Sequence, residues 1–195
     1  MLSPKIAHIL GEMESYSASH ANAWSIPREE AQFLHALLKS LRPKTILEIG
    51  TSTGYSTIWF ALAARAFGGK VFTIEHDPAK IKIAKENFRK AGAGKTIRIL
   101  GGDANKILGN WGKLKIGGRR GAMIDFIFLD GVKSEYLQQF KWVHPHLRRG
   151  GVVAADNAGD FAAQMKDYLK FVRTNKKLHT VFVPIGNGVE LTQKL

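Results

Sequence analysis

The chain has no cysteine. That excludes a disulfide framework, a thiolate metal site and a cysteine nucleophile. Long apolar runs are missing too. Nothing approaches the roughly 20 consecutive apolar residues of a membrane-spanning helix. The opening MLSPKIAHILGEMESYS lacks the apolar core and small-residue cleavage site of a signal peptide. The expectation is a cytoplasmic protein with no membrane partner. Acid is scarce: 16 acidic residues face 29 lysines and arginines, for a net charge of +13. Such a balance fits either a solvated basic surface or a polyanionic partner such as RNA. The basic residues are spread along the chain, which favours the first. The densest group, Lys113, Lys115, Arg119 and Arg120, falls in a glycine-rich segment expected to be a loop. The histidines form no chelating cluster; His144 and His146 flank Pro145 and read as structural.

What is present is an alternation. At 195 residues the chain fits one domain. From residue 44, short apolar runs (TILEI, KVFTIE, TIRILG, IDFIFLD, GVVAAD) alternate with segments of helical periodicity at 55–67, 78–91, 103–109, 134–147 and 160–174. Strands alternating with helices give an α/β domain with a mostly parallel sheet. The runs are almost continuously apolar, as strands covered by helices on both faces must be. HTVFVPI and GVELTQKL close the chain through Gly186-Asn187-Gly188, which predicts an antiparallel hairpin. Residues 1–43 read as helical and stand outside the alternation, a cap region on a core at 44–195.

In such sheets ligands bind beyond the carboxyl ends of the strands. Those ends carry Glu48, Glu75, Asp103, Asp130 and Asp156. One acid there can be a helix cap, and Asp77 and Asp103 suit that role. Five acids on one edge ask for more. ILEIGTSTGYST (46–57) carries glycines at 50 and 54, which allow a sharp turn and a close approach. A dinucleotide fingerprint needs G-x-G-x-x-G to cradle a pyrophosphate. This loop is E-x-G-x-x-x-G. It suits a ligand without phosphates that bears a cationic amino-acid part. Glu75, 25 residues after Gly50, is placed to accept from two ribose hydroxyls.

On these residues the chain resembles the class I S-adenosylmethionine-dependent methyltransferases. It most resembles the metal-dependent O-methyltransferases of the catechol and caffeoyl-CoA type. The likeness runs from about Ile26 to the C-terminus through PREEAQFLHALLK, LEIGTSTGYS, IEHDP, GGDA, FIFLDGVKSEY, GGVVAADN and PIGNGVELTQK. It implies a single domain with a Rossmann-like, seven-stranded, mostly parallel sheet, helices on both faces, a C-terminal antiparallel hairpin and N-terminal helices. It implies S-adenosylmethionine as methyl donor. Glu48 and the Gly50 backbone would face its amino-acid part, with Thr51, Gly54, Tyr55 and Asp130 also among the donor-binding residues. Ser56 would bond its carboxylate, and Glu75 and His76 would hold the ribose. Asp103 and Ala104 would read the adenine, and Ile26 would touch the methionine end. Asp130, Asp156 and Asn157 would hold Mg²⁺ or a similar divalent cation, since three oxygen donors suit a hard ion. Lys133 and Asp130 would be the catalytic residues, with Lys133 as the general base, able to serve if the cation and partial burial depress its pKa. A homodimer is implied as well.

The sequence departs from that family at Gly131-Val132 and at Asn187, and neither change removes a ligand. Tyr16–Ala23, Trp24 and Trp111 are expected near the acceptor pocket or in ordinary packing. The acceptor would be a hydroxylated aromatic small molecule. A second reading keeps the chemistry and makes it a hydroxyuridine of tRNA, held by the basic loop and Arg148-Arg149. A third reading, a nucleotide-binding dehydrogenase, is disfavoured by the missing third glycine.

Overall fold

The computed structural model describes residues 2–116 and 119–195. Gly117 and Gly118, the centre of the expected basic loop, lie outside the described residues. The two short runs flanking them, β4 (Lys115–Ile116) and β5 (Arg119–Arg120), pair antiparallel.

The main sheet has seven strands in the order β3-β2-β1-β6-β7-β9-β8. They are β1 (Thr45–Ile49), β2 (Lys70–Glu75), β3 (Ile97–Gly101), β6 (Ile124–Leu129), β7 (Leu147–Ala155), β8 (Leu178–Val183) and β9 (Val189–Lys194). The first five run parallel. The pair β8–β9 is antiparallel and joins β7 antiparallel. Strand order reverses between β1 and β6, and ligands of such sheets bind beyond the carboxyl ends at that switch. The hairpin forms where Gly186 and Gly188, at φ of 55° and 85°, supply the left-handed turn.

Two cores follow from the period of two along each strand. Ile46, Val71, Phe126, Phe128 and Ala154 point to the face covered by α1 (Pro4–Ser19), α2 (Arg28–Leu41), α3 (Tyr55–Ala64) and α4 (Pro78–Lys90). Leu47, Phe72, Ile74, Ile127, Leu129 and Val153 point to the other, under α5 (Ala104–Gly109), α6 (Tyr136–Val143) and α7 (Lys166–Thr174). All ten residues of α3 are buried, because α2 covers the side that the sheet does not. Residues 1–43 thus supply a lid over α3 as well as the helices expected there. No helix of the described residues is long and apolar enough to cross a membrane.

Two boundaries move. The helix expected over 134–147 stops at Val143 and tightens into a 3₁₀ turn at His144–His146, where Pro145 has no N–H to continue the ladder. β7 then starts at Leu147, so Arg148 and Arg149 stand in a strand. Arg148 is paired with Asp125 at 2.6 Å rather than held free for phosphates.

Candidate active site

The ends of β1, β2, β6 and β7 are tied together by backbone bonds. Gly50 N and Thr51 N both donate to Ile74 O, and Asp130 N donates to Ile49 O at 2.9 Å. Asp156 N donates to Leu129 O at 3.0 Å. The expected site residues therefore belong to one continuous edge.

The two glycines of the turn have different partners. A Cβ on Gly50 would lie 2.2 Å from the Asp130 carbonyl oxygen, so the close approach that requires glycine is between two strand ends. A Cβ on Gly54 would lie 2.4 Å from the Phe88 ring, so that glycine lets α4 pack against the turn. Both have positive φ.

Glu48 turns inward. It is fully buried, and its carboxylate accepts from Ser56 Oγ, from Thr57 Oγ1 and from Thr73 Oγ1 at 2.6 Å. Thr73 also meets Thr51 Oγ1 at 2.6 Å. The Ser56 hydroxyl expected to face a ligand carboxylate is thus engaged with a carboxylate of the chain itself. Burial pushes the Glu48 carboxyl up to about 7, with the hydroxyls from Ser56, Thr57 and Thr73 holding it down. A carboxyl raised in the fold favours its protonated form there. The stability it contributes is complete below its ordinary value of 4.5 and is lost as pH rises through about 7. Glu48→Gln is therefore expected to remove about 3 kcal/mol of the parent's stability loss between about pH 5 and about pH 8. Urea unfolding of both proteins at the two pH values checks this, and parallel losses would refute it.

Glu75 is a clasp. Its Oε2 accepts from Ser52 N at 2.9 Å, and its Oε1 accepts from His76 N at 2.9 Å and Asp77 N at 3.0 Å. It joins the turn after β1 to the turn after β2. Ser52, at φ 48°, owes its left-handed conformation to that turn. The His76 ring lies 3.3 Å from Glu75 with its side chain 80% exposed. Asp77 and Asp103 are helix caps: Asp77 accepts from Ala79 N and Lys80 N, and Asp103 accepts from Lys106 N at 2.8 Å. Ala104 is the first residue of α5.

Tyr55 is buried, and its hydroxyl donates to Glu14 of α1, which also pairs with Arg28 of α2. It links the turn to the N-terminal helices. Ile26 is buried just before α2 in the same core. Trp24 is 74% exposed, and Tyr16 stacks on His20 with ring centroids 3.9 Å apart. Trp111 is fully buried against Phe72, and its indole N–H donates to Ala122 O, so it is a core residue rather than part of an acceptor pocket.

Beyond β6 and β7 lie Asp130, Lys133, Asp156 and Asn157. Lys133 Nζ is 3.3 Å from Asp130 Oδ1 and 3.1 Å from Gly131 O, with its side chain 12% exposed. Asn157, at φ 67°, folds back so that its N–H and its Nδ2 both donate to the buried Asp156 carboxylate. The turn is fixed by the hairpin: Ala158 N donates to Gly188 O, and Gly159 N and Asp160 N donate to Asn187 O. Asn187, where the family often has an acid, thus holds this turn through its backbone. Burial and the neighbouring Asp156 charge push the Asp130 carboxyl up, against Lys133. Burial raises Asp156 as well, opposed first by the Asn157 N–H.

One residue of this edge was not foreseen. Glu30, in the first turn of α2, is fully buried and its carboxyl is raised by burial, then by Asp156 and Asp130. The signal was in the sequence: Glu30, Leu34 and Leu38 lie four apart on the buried stripe of α2. An acid on an apolar stripe needs a reason.

Among the described residues, no three histidine, cysteine, aspartate or glutamate side chains converge as a metal-binding group. The donor set nevertheless suits a hard cation: two carboxylates and an amide oxygen at adjoining strand ends, beside buried Glu30 oxygens to which no N–H or hydroxyl donates.

The O-methyltransferase family model matches residues 3–195. A catechol O-methyltransferase of Niastella koreensis is 33% identical over 149 residues, covering 76% of this chain and 65% of that relative, just under two thirds of its length. A caffeoyl-CoA O-methyltransferase of Petroselinum crispum is 27% identical over 98% of this chain and 86% of its own length. Among solved structures, the O-methyltransferase from Bacillus cereus in complex with SAH superposes with a TM-score of 0.83 at 24% identity, over 96% of this chain and 91% of that one.

Proposed function

The chain belongs to the O-methyltransferase family, and from that premise we propose that it moves a methyl group from S-adenosylmethionine to a hydroxyl of a catechol-like or caffeoyl-type aromatic, assisted by Mg²⁺ or a similar divalent cation. The observation that carries this reading is the shared edge: Lys133, Asp130 and the Asp156–Asn157 pair stand beyond β6 and β7, while the Gly50 turn meets Asp130 backbone to backbone.

In this reading the donor lies over the turn at 50–56, with Glu75 and His76 toward its ribose, Asp103 and Ala104 toward its adenine, and Ile26 toward its methionine end. Glu48 and Ser56 act beneath the turn, and Thr51, Gly54 and Tyr55 shape it. Asp130, Asp156 and Asn157 hold the cation, which supplies Lewis acidity to neighbouring acceptor oxygens when bound. The chain does the rest. Lys133 takes the hydroxyl proton as the oxygen forms its bond to the methyl carbon and the carbon–sulfur bond breaks. The products are the methyl ether and S-adenosylhomocysteine, and the edge holds oxygen, carbon and sulfur in line. A homodimer belongs to the same proposal. The tRNA reading draws no support from the relatives, whose names carry catechol and caffeoyl-CoA.

The test is methyl transfer to catechol and to caffeoyl-CoA with and without EDTA. Methyl ether is expected from at least one of them, and chelation should slow its formation about a hundredfold or more, restored by Mg²⁺, as several kcal/mol of Lewis-acid stabilisation implies. Product formation indifferent to EDTA would remove the cation from the proposal. No product from either acceptor, with S-adenosylmethionine bound, would overturn the acceptor class.

A further inference from the structure

Glu30 stands at the third helical position of α2, after Pro27 at the N-cap. A glutamate there ordinarily reaches back to the N–H of the N-cap residue and closes a capping box. Pro27 has no N–H to offer. The local use of this side chain is therefore ruled out by covalent structure, and both carboxylate oxygens are buried with no N–H or hydroxyl donating to them; the group they meet is the Asp156 carboxyl. No arginine or lysine pairs with it among the ion pairs of the described residues. The charged groups facing it are Asp156, Asp130 and its neighbour Glu29, all acids. It is also held in place from the far side. A Cβ on Gly186, in the β8–β9 turn, would lie 2.2 Å from Glu30 Oε2. That same turn fixes the segment after Asn157 through the Asn187 and Gly188 carbonyls.

An acid buried among other acids either keeps its proton, as burial and the Asp156 and Asp130 charges make Glu30 do, or gives it up to a cation that compensates the charge. We propose that Glu30 is a positioning residue of the cation site: outside the ligand set itself, its carboxylate stands against Asp156, and a divalent cation bound at that edge supplies its counter-charge. The inference rests on the metal-assisted reading above and assigns a role to α2 that the strand-end residues alone do not contain. It also links the N-terminal helices to the cation edge, because Glu30 belongs to α2.

The test is calorimetric titration of the EDTA-treated, full-length protein with Mn²⁺, without donor or acceptor. Glu30→Gln should weaken Mn²⁺ binding by about tenfold to a hundredfold, the range measured for residues that support metal ligands. S-adenosylhomocysteine affinity should be unchanged, and the metal-free thermal midpoint should not fall, since an isosteric neutral group replaces an unpaired one. A merely structural glutamate would lower the midpoint and leave Mn²⁺ binding alone. Unchanged Mn²⁺ binding in Glu30→Gln, with Asp156→Ala losing it, overturns the Glu30 assignment and spares the cation site. A parent protein that binds no Mn²⁺ overturns both. If Glu30→Gln does not fold, Gly186→Ala takes its place, since the added methyl needs the space of Glu30 Oε2; parent-like Mn²⁺ binding there overturns the assignment.

Discussion

Gly50→Ala is expected to abolish tight S-adenosylhomocysteine binding and to cost about 3 kcal/mol of stability, combining roughly 1–2 kcal/mol for a side chain at positive φ with roughly 1–3 kcal/mol for overpacking. The geometry leaves little room for relief. At φ 102° an added Cβ would lie 2.2 Å from the Asp130 carbonyl oxygen and 2.7 Å from its carbon. Both belong to backbone, which is anchored by the bond from Asp130 N to Ile49 O. The turn at 50–56 must lift away from β6, or β6 must yield. Either movement also disturbs Ser52 and its bond to Glu75. Gly54→Ala is a useful contrast: at φ 91° it carries similar backbone strain, but its added methyl meets the buried Phe88 side chain rather than the backbone of β6. Urea unfolding and calorimetry with S-adenosylhomocysteine test the claim. For a chain of this size the expected fall in thermal midpoint is about 6–12 °C. Parent-like affinity in Gly50→Ala would remove the joint role assigned to this contact.

The contrast between these glycines shows what a sequence conveys and what it withholds. Apolar period and turn residues gave the alternation, the parallel strands and the final hairpin, because they report backbone pattern directly. The acids at the strand ends also stood out by type and place. Their directions did not. Glu48 precedes the turn by two residues, yet its carboxylate points into the fold toward Thr57 and Thr73. Asp77 and Asp103 spend their oxygens on the first turns of α4 and α5. Trp111 was readable as a pocket aromatic until the sheet placed Phe72 against it. Such facts depend on which elements become neighbours, and strand order decides that. Glu30 is the instructive miss. Read alone, an acid in the first turn of a helix is favourable and unremarked. Read together with Pro27 and the Leu34–Leu38 stripe, it lacks a local partner and faces the interior. The same strand order that brings β1 beside β6 brings the hairpin turn onto that carboxylate.

Lys133→Met is expected to reduce turnover by about 10²–10⁴-fold, the usual contribution of a positioned proton acceptor, while S-adenosylhomocysteine affinity stays at the parent value. The separation is predicted by place. Lys133 follows Asp130 in the turn beyond β6, with its amine against Asp130 Oδ1 and Gly131 O, whereas the groups assigned to the donor's ribose and adenine lie on the turns after β2 and β3. Methionine keeps most of the aliphatic stem and removes the Nζ together with its contacts to Asp130, Gly131 O and the Tyr136 ring. Removing the amine also takes away the group that meets Asp130 Oδ1 at 3.3 Å. Cation binding should therefore not improve in the variant, since Asp130 loses a partner that holds it in place. Single-turnover rates with catechol, measured beside Mn²⁺ and S-adenosylhomocysteine titrations, separate the three effects. Near-parent turnover in Lys133→Met would exclude the proton-accepting role. A matching loss of donor affinity would move Lys133 from the chemistry to the architecture of the edge.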